Sequence, residues 1–249
     1  MKKLLGLLAA GGLFALTSCE TTREITFNEN GSGKMVTTTD MSGLIGIAKM
    51  SGKDMEKEDQ SIDTTIALDK MVDSIPDLTP DEKEIVRKGV LGLVMDMGNE
   101  KLVTKLEFPF SSGSQIKKLD QISAKVMQQA MQKQAGAGED ASPMPDDELG
   151  KASIDEYFTV TYDKGLIERK HIAEKYAKVG EDQALQALKE ASAQGMPMNT
   201  TIIFNLPKPA KKAEGKNLTL SEDKKKVTIK SSMDDFFEDV SKLEFRIEY

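Results

Sequence analysis

Hydrophobic and polar residues follow three regimes along this chain. Residues 4–16, LLGLLAAGGLFAL, form an apolar run varied only by small residues. From residue 24 onward, alternation with a period of two marks strands. Residues 24–27 (EITF) and 34–41 (KMVTTTDM) flank NENGSG, an Asn- and Gly-rich turn that reads as a hairpin. TTIALD (64–69) suits a strand or a helix start, and KLVTKLEFPF (101–110) a strand. EYFTVTYD and LIERKHI flank Asp163-Lys164-Gly165 as a second hairpin. NTTIIFNLP (199–207) is a strand ended by Pro207 and Pro209. NLTL and KVTIKSS flank the polar turn SEDKKK, and KLEFRIEY closes the chain as a strand.

The third regime has the helical period. Thr79 can cap, Pro80 suits a first turn and Glu82 completes a capping box. Apolar residues at 85, 86, 90, 93, 94 and 97 then predict a helix over 80–97, stopped by Gly98-Asn99. Ser114 opens a second helix over 114–134, with Ile116, Leu119, Ile122, Val126, Met127 and Ala130 on one face. A short helix is expected at about 181–193. Another, of one or two turns, is expected after Ser232-Met233-Asp234-Asp235. Residues 42–62 suit a helix or an irregular excursion. Residues 135–150, AGAGEDASPMPDDELG, lack periodicity and read as an exposed linker or loop. The predicted class is α+β: a mostly antiparallel sheet built from hairpins and covered by two or three amphipathic helices. Burying one Val, Leu, Ile or Met side chain contributes about 1.5–3 kcal/mol. Both long helices are therefore expected on a shared antiparallel sheet containing 101–108 and 200–206.

The opening run is too short for a membrane span: 13 residues against about 20 for a helix crossing the bilayer. Preceded by Lys2 and Lys3, it reads as a secretory signal peptide over 1–18. The expected organisation is a signal peptide (1–18), a short polar tether (19–23, CETTR) and an α+β domain (24–249) carrying the linker at 135–150. Removing 18 residues from 249 leaves 231, enough for one large domain or two small ones.

Charge and composition narrow the function. The formal net charge is −7, and −9 once Lys2 and Lys3 are removed. An acidic exported chain is a poor nucleic-acid binder. Aromatic residues make up 5% and Trp is absent, which disfavours sugar-binding clefts built on stacked rings. The 14 Met residues suit an irregular core.

Catalytic constellations are scarce. His171 is the only histidine, so a His-based zinc site cannot be built, and Ser-His-Asp chemistry would rest on that residue alone. Its pattern, IERKHI, is expected to face solvent. GxSxG, GxGxxG and P-loop motifs do not occur. Asp146-Asp147 falls in the linker and Asp234-Asp235 at a helix N-terminus, where the helix dipole favours carboxylates. Asn28, Asn30, Ser32 and Gly33 match the start of an EF-hand loop, but Thr39 stands where calcium needs a bidentate Glu, so a hairpin turn is expected there. No metal or cofactor is expected.

One cysteine, Cys19, remains, and it cannot form an internal disulfide. Leu16-Thr17-Ser18-Cys19 resembles the lipobox of bacterial lipoproteins. That resemblance implies diacylglycerol on the Cys19 thiol, cleavage before Cys19, and acylation of the freed amine, commonly as palmitate-like chains. Two or more acyl chains hold a protein stably on a membrane. Glu20 rather than Asp follows the cysteine, which under the proteobacterial sorting rule favours the outer membrane over the inner.

The layout as a whole resembles an uncharacterised class of lipoproteins familiar from Bacteroidetes, and is similar to the LppM-type lipoprotein domain. The shared stretches are EITFNENGSGKMV, KLVTKLEFPFSSGSQIKKLDQI and TIIFNLPKPAKKAEGKNLTLSEDKKKVTIK. The resemblance implies a sheet covered by helices, with a lipid- or ligand-holding cavity; it carries over no catalytic residue. LppM-type proteins keep a C-terminal transmembrane helix, whereas this sequence closes on FRIEY, so anchorage rests on Cys19. Asp63-Thr64-Thr65 and Asp73-Ser74-Ile75 resemble the Bacteroidetes O-glycosylation sequon. Chance accounts for matches of three residues, and Thr64 and Ser74 stand only as candidate acceptors.

Together these features lead to a membrane-anchored, non-enzymatic envelope lipoprotein acting as a binding or interaction module. Its membrane contact would run through lipid on Cys19, with no nucleic acid involved. One alternative is a carrier of lipid or another apolar ligand, with a pocket between helices and sheet. A second is a carboxylate-based hydrolase.

Overall fold

The computed structural model describes residues 19–43, 45, 61–76, 78–134, 154–193 and 197–249. The expected signal peptide, the expected linker at 135–150 and the Asp146-Asp147 pair lie outside these residues.

Two sheets organise the protein. The larger has eight strands in the order β10-β11-β8-β1-β2-β5-β4-β3. They are β1 (Cys19–Phe27), β2 (Gly33–Asp40), β3 (Ser61–Ala67), β4 (Val90–Asp96), β5 (Lys101–Phe110), β8 (Met198–Asn205), β10 (Leu218–Leu220) and β11 (Lys226–Ser232). β1 pairs antiparallel with β2 and parallel with β8, and every other pair in this sheet is antiparallel. The smaller, fully antiparallel sheet has the order β6-β7-β12-β9, formed by β6 (Phe158–Asp163), β7 (Leu166–His171), β12 (Phe245–Glu248) and β9 (Lys212–Glu214). The class is thus α+β with mostly antiparallel pairing. β5 and β8 share one sheet as expected, but that sheet is mixed.

The three expected hairpins form where turn chemistry demanded them. In NENGSG, Gly31 takes φ 86°, and the Gly31 and Asn28 amides donate to Asn28 O and Ser32 O. The Asn30 carboxamide oxygen accepts from the Ser32 amide and hydroxyl, and the Ser32 hydroxyl accepts from the Asn28 carboxamide, so two of the oxygens that a calcium loop would offer serve the turn.

The helices are shorter than the apolar spacing predicts. Helix α1 spans only Pro80–Val86, opened by the expected Thr79/Glu82 capping box. Residues 90–96 form β4 between β3 and β5 instead of continuing the helix. VLGLVMD holds two Val residues and a Gly, which weaken a helix and, the Gly aside, suit a strand. Leu91 and Leu93, two apart, point inward at 4% and 7% exposure. Gly89 fixes the break, because a Cβ there would lie 2.3 Å from the Phe108 ring. Helix α2 (Ile116–Gln134) lays Ile116, Leu119, Ile122 and Val126 on the large sheet, all fully buried with Ile25, Met35 and Phe108.

Beyond the β6–β7 hairpin lie α3 (Ala173–Tyr176), α4 (Gln183–Ala193) and α5 (Met233–Glu238). They close a second apolar cluster around Phe158, Leu185, Phe236 and Leu243. The inner face of the small sheet serves both clusters. Ile167, Phe245 and Ile247 belong to the main one, and Phe158 and Val160 to the second.

Candidate functional site

β1 runs through the middle of the large sheet, and its inward side chains change character along the strand. Phe27 and Ile25 lie in the main core. Arg23 follows on the same face, then Thr21 and Cys19. Neighbouring strands repeat the sequence of rows. Thr21 stands between Thr200 and Thr39, and Thr39 faces Thr104 on β5. Cys19 stands beside Met198, and Leu102 beside Met95. The large sheet thus carries an apolar core, a row containing a charge, a threonine row and an apolar terminal row.

The stretch 20–23, expected as a tether, is therefore part of the fold. Glu20 to Arg23 pair with Asp40 to Thr37 on one side and with Asn199 to Ile202 on the other. Pairing reaches Cys19 itself, whose backbone N–H donates to Pro197 O at 3.1 Å. Thr is a good strand former, and two flanking Thr-rich strands, TTTD and NTT, receive it. The Cys19 thiol is half-buried, and burial, then Asp40, raises its pKa above the usual value. A thiol so shifted is a poor nucleophile at neutral pH.

The charged row is the feature that sequence reasoning missed. Arg23 Nη1 lies 3.3 Å from Asp120 Oδ1 of α2 and 3.6 Å from Asp155 Oδ2. Asp155 Oδ1 lies 2.9 Å from Arg169 Nη2 of β7, and the Arg169 guanidinium covers the Phe158 ring at 4.0 Å. This network separates the two apolar clusters. Burial pushes the Asp155 carboxyl up, but Arg169 and Arg23 outweigh it and hold it below the usual range. Burial dominates at Asp120 and raises its pKa to about 6 despite Arg23. Burial lowers Arg169, whereas Asp120 and Asp155 overcome burial at Arg23 and raise it. Among the described residues, Arg23 Nε, Arg169 Nε, Thr37 Oγ1 and Asp120 Oδ1 are buried without a hydrogen-bond partner, the last meeting Arg23 only as an ion pair. The four charged residues lie far apart in sequence. The available signal was parity: Arg23 falls on the same face as Ile25 and Phe27, and Arg169 on that of Ile167.

His171 is not a free surface residue as its pattern suggested. Its side chain is 28% exposed, Nδ1 lies 2.6 Å from Glu244 Oε1, and the ring packs edge-on against Tyr176. No hydroxyl or thiol bonds its other ring nitrogen among the described residues. The Asp234-Asp235 pair behaves as the cap the sequence suggested. Asp235 accepts from the Ser232 amide and from Lys242, and Asp234 accepts from Ser192. Thr64 is half-buried on β3, an edge strand. Ser74 is exposed in a short turn, its hydroxyl donating to Met71 O at 2.7 Å. Among the described residues there is no group of three or more His, Cys, Asp or Glu able to hold a metal, and no helix long and apolar enough to cross a membrane.

Comparison with known proteins returns no matching family model, no similar curated protein and no similar solved structure.

Proposed function

We propose that this protein is an exported lipoprotein, held on the envelope membrane by acyl chains on Cys19 and acting there as a non-enzymatic binding or interaction module. The observation that carries this is the N-terminal pattern: two lysines, a 13-residue apolar run and LTSC. Outer-membrane placement is the favoured form of the proposal, because Glu20 follows the cysteine. The state of the candidate catalytic groups supports the non-enzymatic part. The thiol is shifted upward, the only histidine is bonded to Glu244, and the Asp234-Asp235 carboxylates serve a helix cap. The α2 stripe is buried together with core side chains of the large sheet, which counts against a ligand pocket at that place. Replacing Cys19 with Ser is expected to move the exported protein from the membrane to the soluble fraction. Continued sedimentation with membranes would remove the lipid anchor.

One observation favours the hydrolase alternative. Asp120 and Asp155 converge on Arg23, one shifted up to about 6 and the other down. Carboxyls with separated pKa values divide acid and base roles in many hydrolases. In this protein both are already tied to guanidinium groups, which accounts for them as structural ion pairs. Turnover of a glycoside, ester or peptide panel that Asp120→Asn and Asp155→Asn both abolish, with folding intact, would shift the assignment to an enzyme.

A further inference from the structure

Strand β1, as far as it is described, reaches the residue proposed to carry the lipid, and this fixes more than attachment. A flexible linker between anchor and domain leaves the domain free to tumble. Here hydrogen bonding includes Cys19 itself, with β2 and β8 on either side of the next residues. An acylated amine is still an amide N–H, so the bond from Cys19 to Pro197 O survives lipidation.

The surface around that attachment point also has the chemistry of a membrane border. The inward side chains at this end of the sheet are Met198, Cys19, Met41, Leu102, Met95 and Ile62, carried in register or, for Met41, by its amide bond to Leu102 O. Met41 is buried and the other five are half-exposed, with Met198 packed against the second apolar cluster. The threonine row separates them from the main core. The outward row at the same end is mostly polar: Asn199, Glu20, Asp40 and Asp63 flank the half-exposed Val103 and Val94, and the charged Asp96–Lys101 pair lies beyond it. That arrangement suits contact at headgroup level, with the apolar row toward the acyl chains, and opposes deep insertion.

We infer that the Cys19 end of the eight-stranded sheet is the bilayer-facing surface of the protein, with the strands upright on the membrane and the row from Cys19 through Leu102 and Met95 to Ile62 against the lipid. This rests on the proposed acylation of Cys19. It sets the height of each element: at about 3.3 Å per residue, β1 carries the β1–β2 turn roughly 26 Å from the anchor.

The test uses full-length, acylated protein extracted from membranes and placed in phosphatidylethanolamine–phosphatidylglycerol vesicles that contain a nitroxide-headgroup lipid. With Cys19 in thioether linkage, an introduced cysteine is the only free thiol. Asn99→Cys puts a fluorophore in the β4–β5 turn at the Cys19 end, and Glu29→Cys puts one in the turn at the opposite end. Both residues are exposed. The expected result is quenching several-fold stronger at 99 than at 29. A Gly/Ser segment of about ten residues inserted between Cys19 and Glu20 should erase the difference. Equal quenching at both sites without the insert, in protein that floats with the vesicles, overturns the upright orientation while leaving the anchor intact. Protein that does not float at all overturns the anchor, and the orientation with it.

Discussion

Arg23 occupies a strand position whose neighbours on the same face, Ile25 and Phe27, belong to the core. The buried guanidinium has two carboxyls in reach, and Asp155, which Arg169 and Arg23 hold below the usual range, is its principal counter-charge. Asp120 is the weak member of the network. Its folded pKa, about 6, lies above its ordinary 3.8, so the native state binds this proton more tightly than the unfolded chain does. The sign follows: between the two values, stability contributed by this group falls as pH rises, and above about pH 6 the penalty is complete. At ~1.4 kcal/mol per pH unit that penalty is at most about 3 kcal/mol. Asparagine imitates the protonated form. Asp120→Asn is therefore expected to raise the urea midpoint at about pH 7.5 and to leave it nearly unchanged at about pH 3.5. A lower midpoint at the higher pH would mean that Arg23 requires the Asp120 charge. Parity with Ile25 and Ile167 was the one signal that could have marked Arg23 and Arg169 as charges on apolar faces, and the sequence reading did not use it. Nothing local in the sequence joined residues 23, 120, 155 and 169, because their meeting depends on the packing of α2 and β7 against β1.

At the scale of elements, what was legible was what short-range chemistry dictates. The NENGSG and Asp163-Lys164-Gly165 turns, the Thr79 and Ser232 caps and the α2 stripe all appear in the fold. Segment 90–96 was misread because its apolar residues satisfy both periods, and pairing with β3 and β5 decided between them. The glycines distinguish the two conformations. In a helix, Gly89→Ala would stabilise by about 1 kcal/mol. In this fold the added methyl meets Phe108 at 2.3 Å, and the variant is expected to lose about 1–3 kcal/mol. A Cβ at Gly92 meets Lys105 at an ordinary 3.6 Å, so Gly92→Val is expected to be neutral or slightly stabilising in the strand. Denaturant midpoints for the two variants check this, and a stabilising Gly89→Ala would contradict the β4 assignment. The ETTR stretch was misread for a related reason. Polar residues look like a tether until the strands that pair with them on both sides are known.

For the whole molecule, β1 and β8 form a parallel pair across some 180 residues of sequence, so the large sheet closes only when the C-terminal half has arrived. The lipid proposed on Cys19 would attach directly to that central strand. On the proposed function, the protein is a folded module fixed to the membrane at its own sheet. The most direct measurement is the intact mass of the protein extracted from cell membranes. The predicted species begins at Cys19 and carries diacylglycerol, with or without a further acyl chain on its amine. A membrane-extracted species that retains residues 1–18, or one that begins elsewhere and carries no lipid, would contradict it.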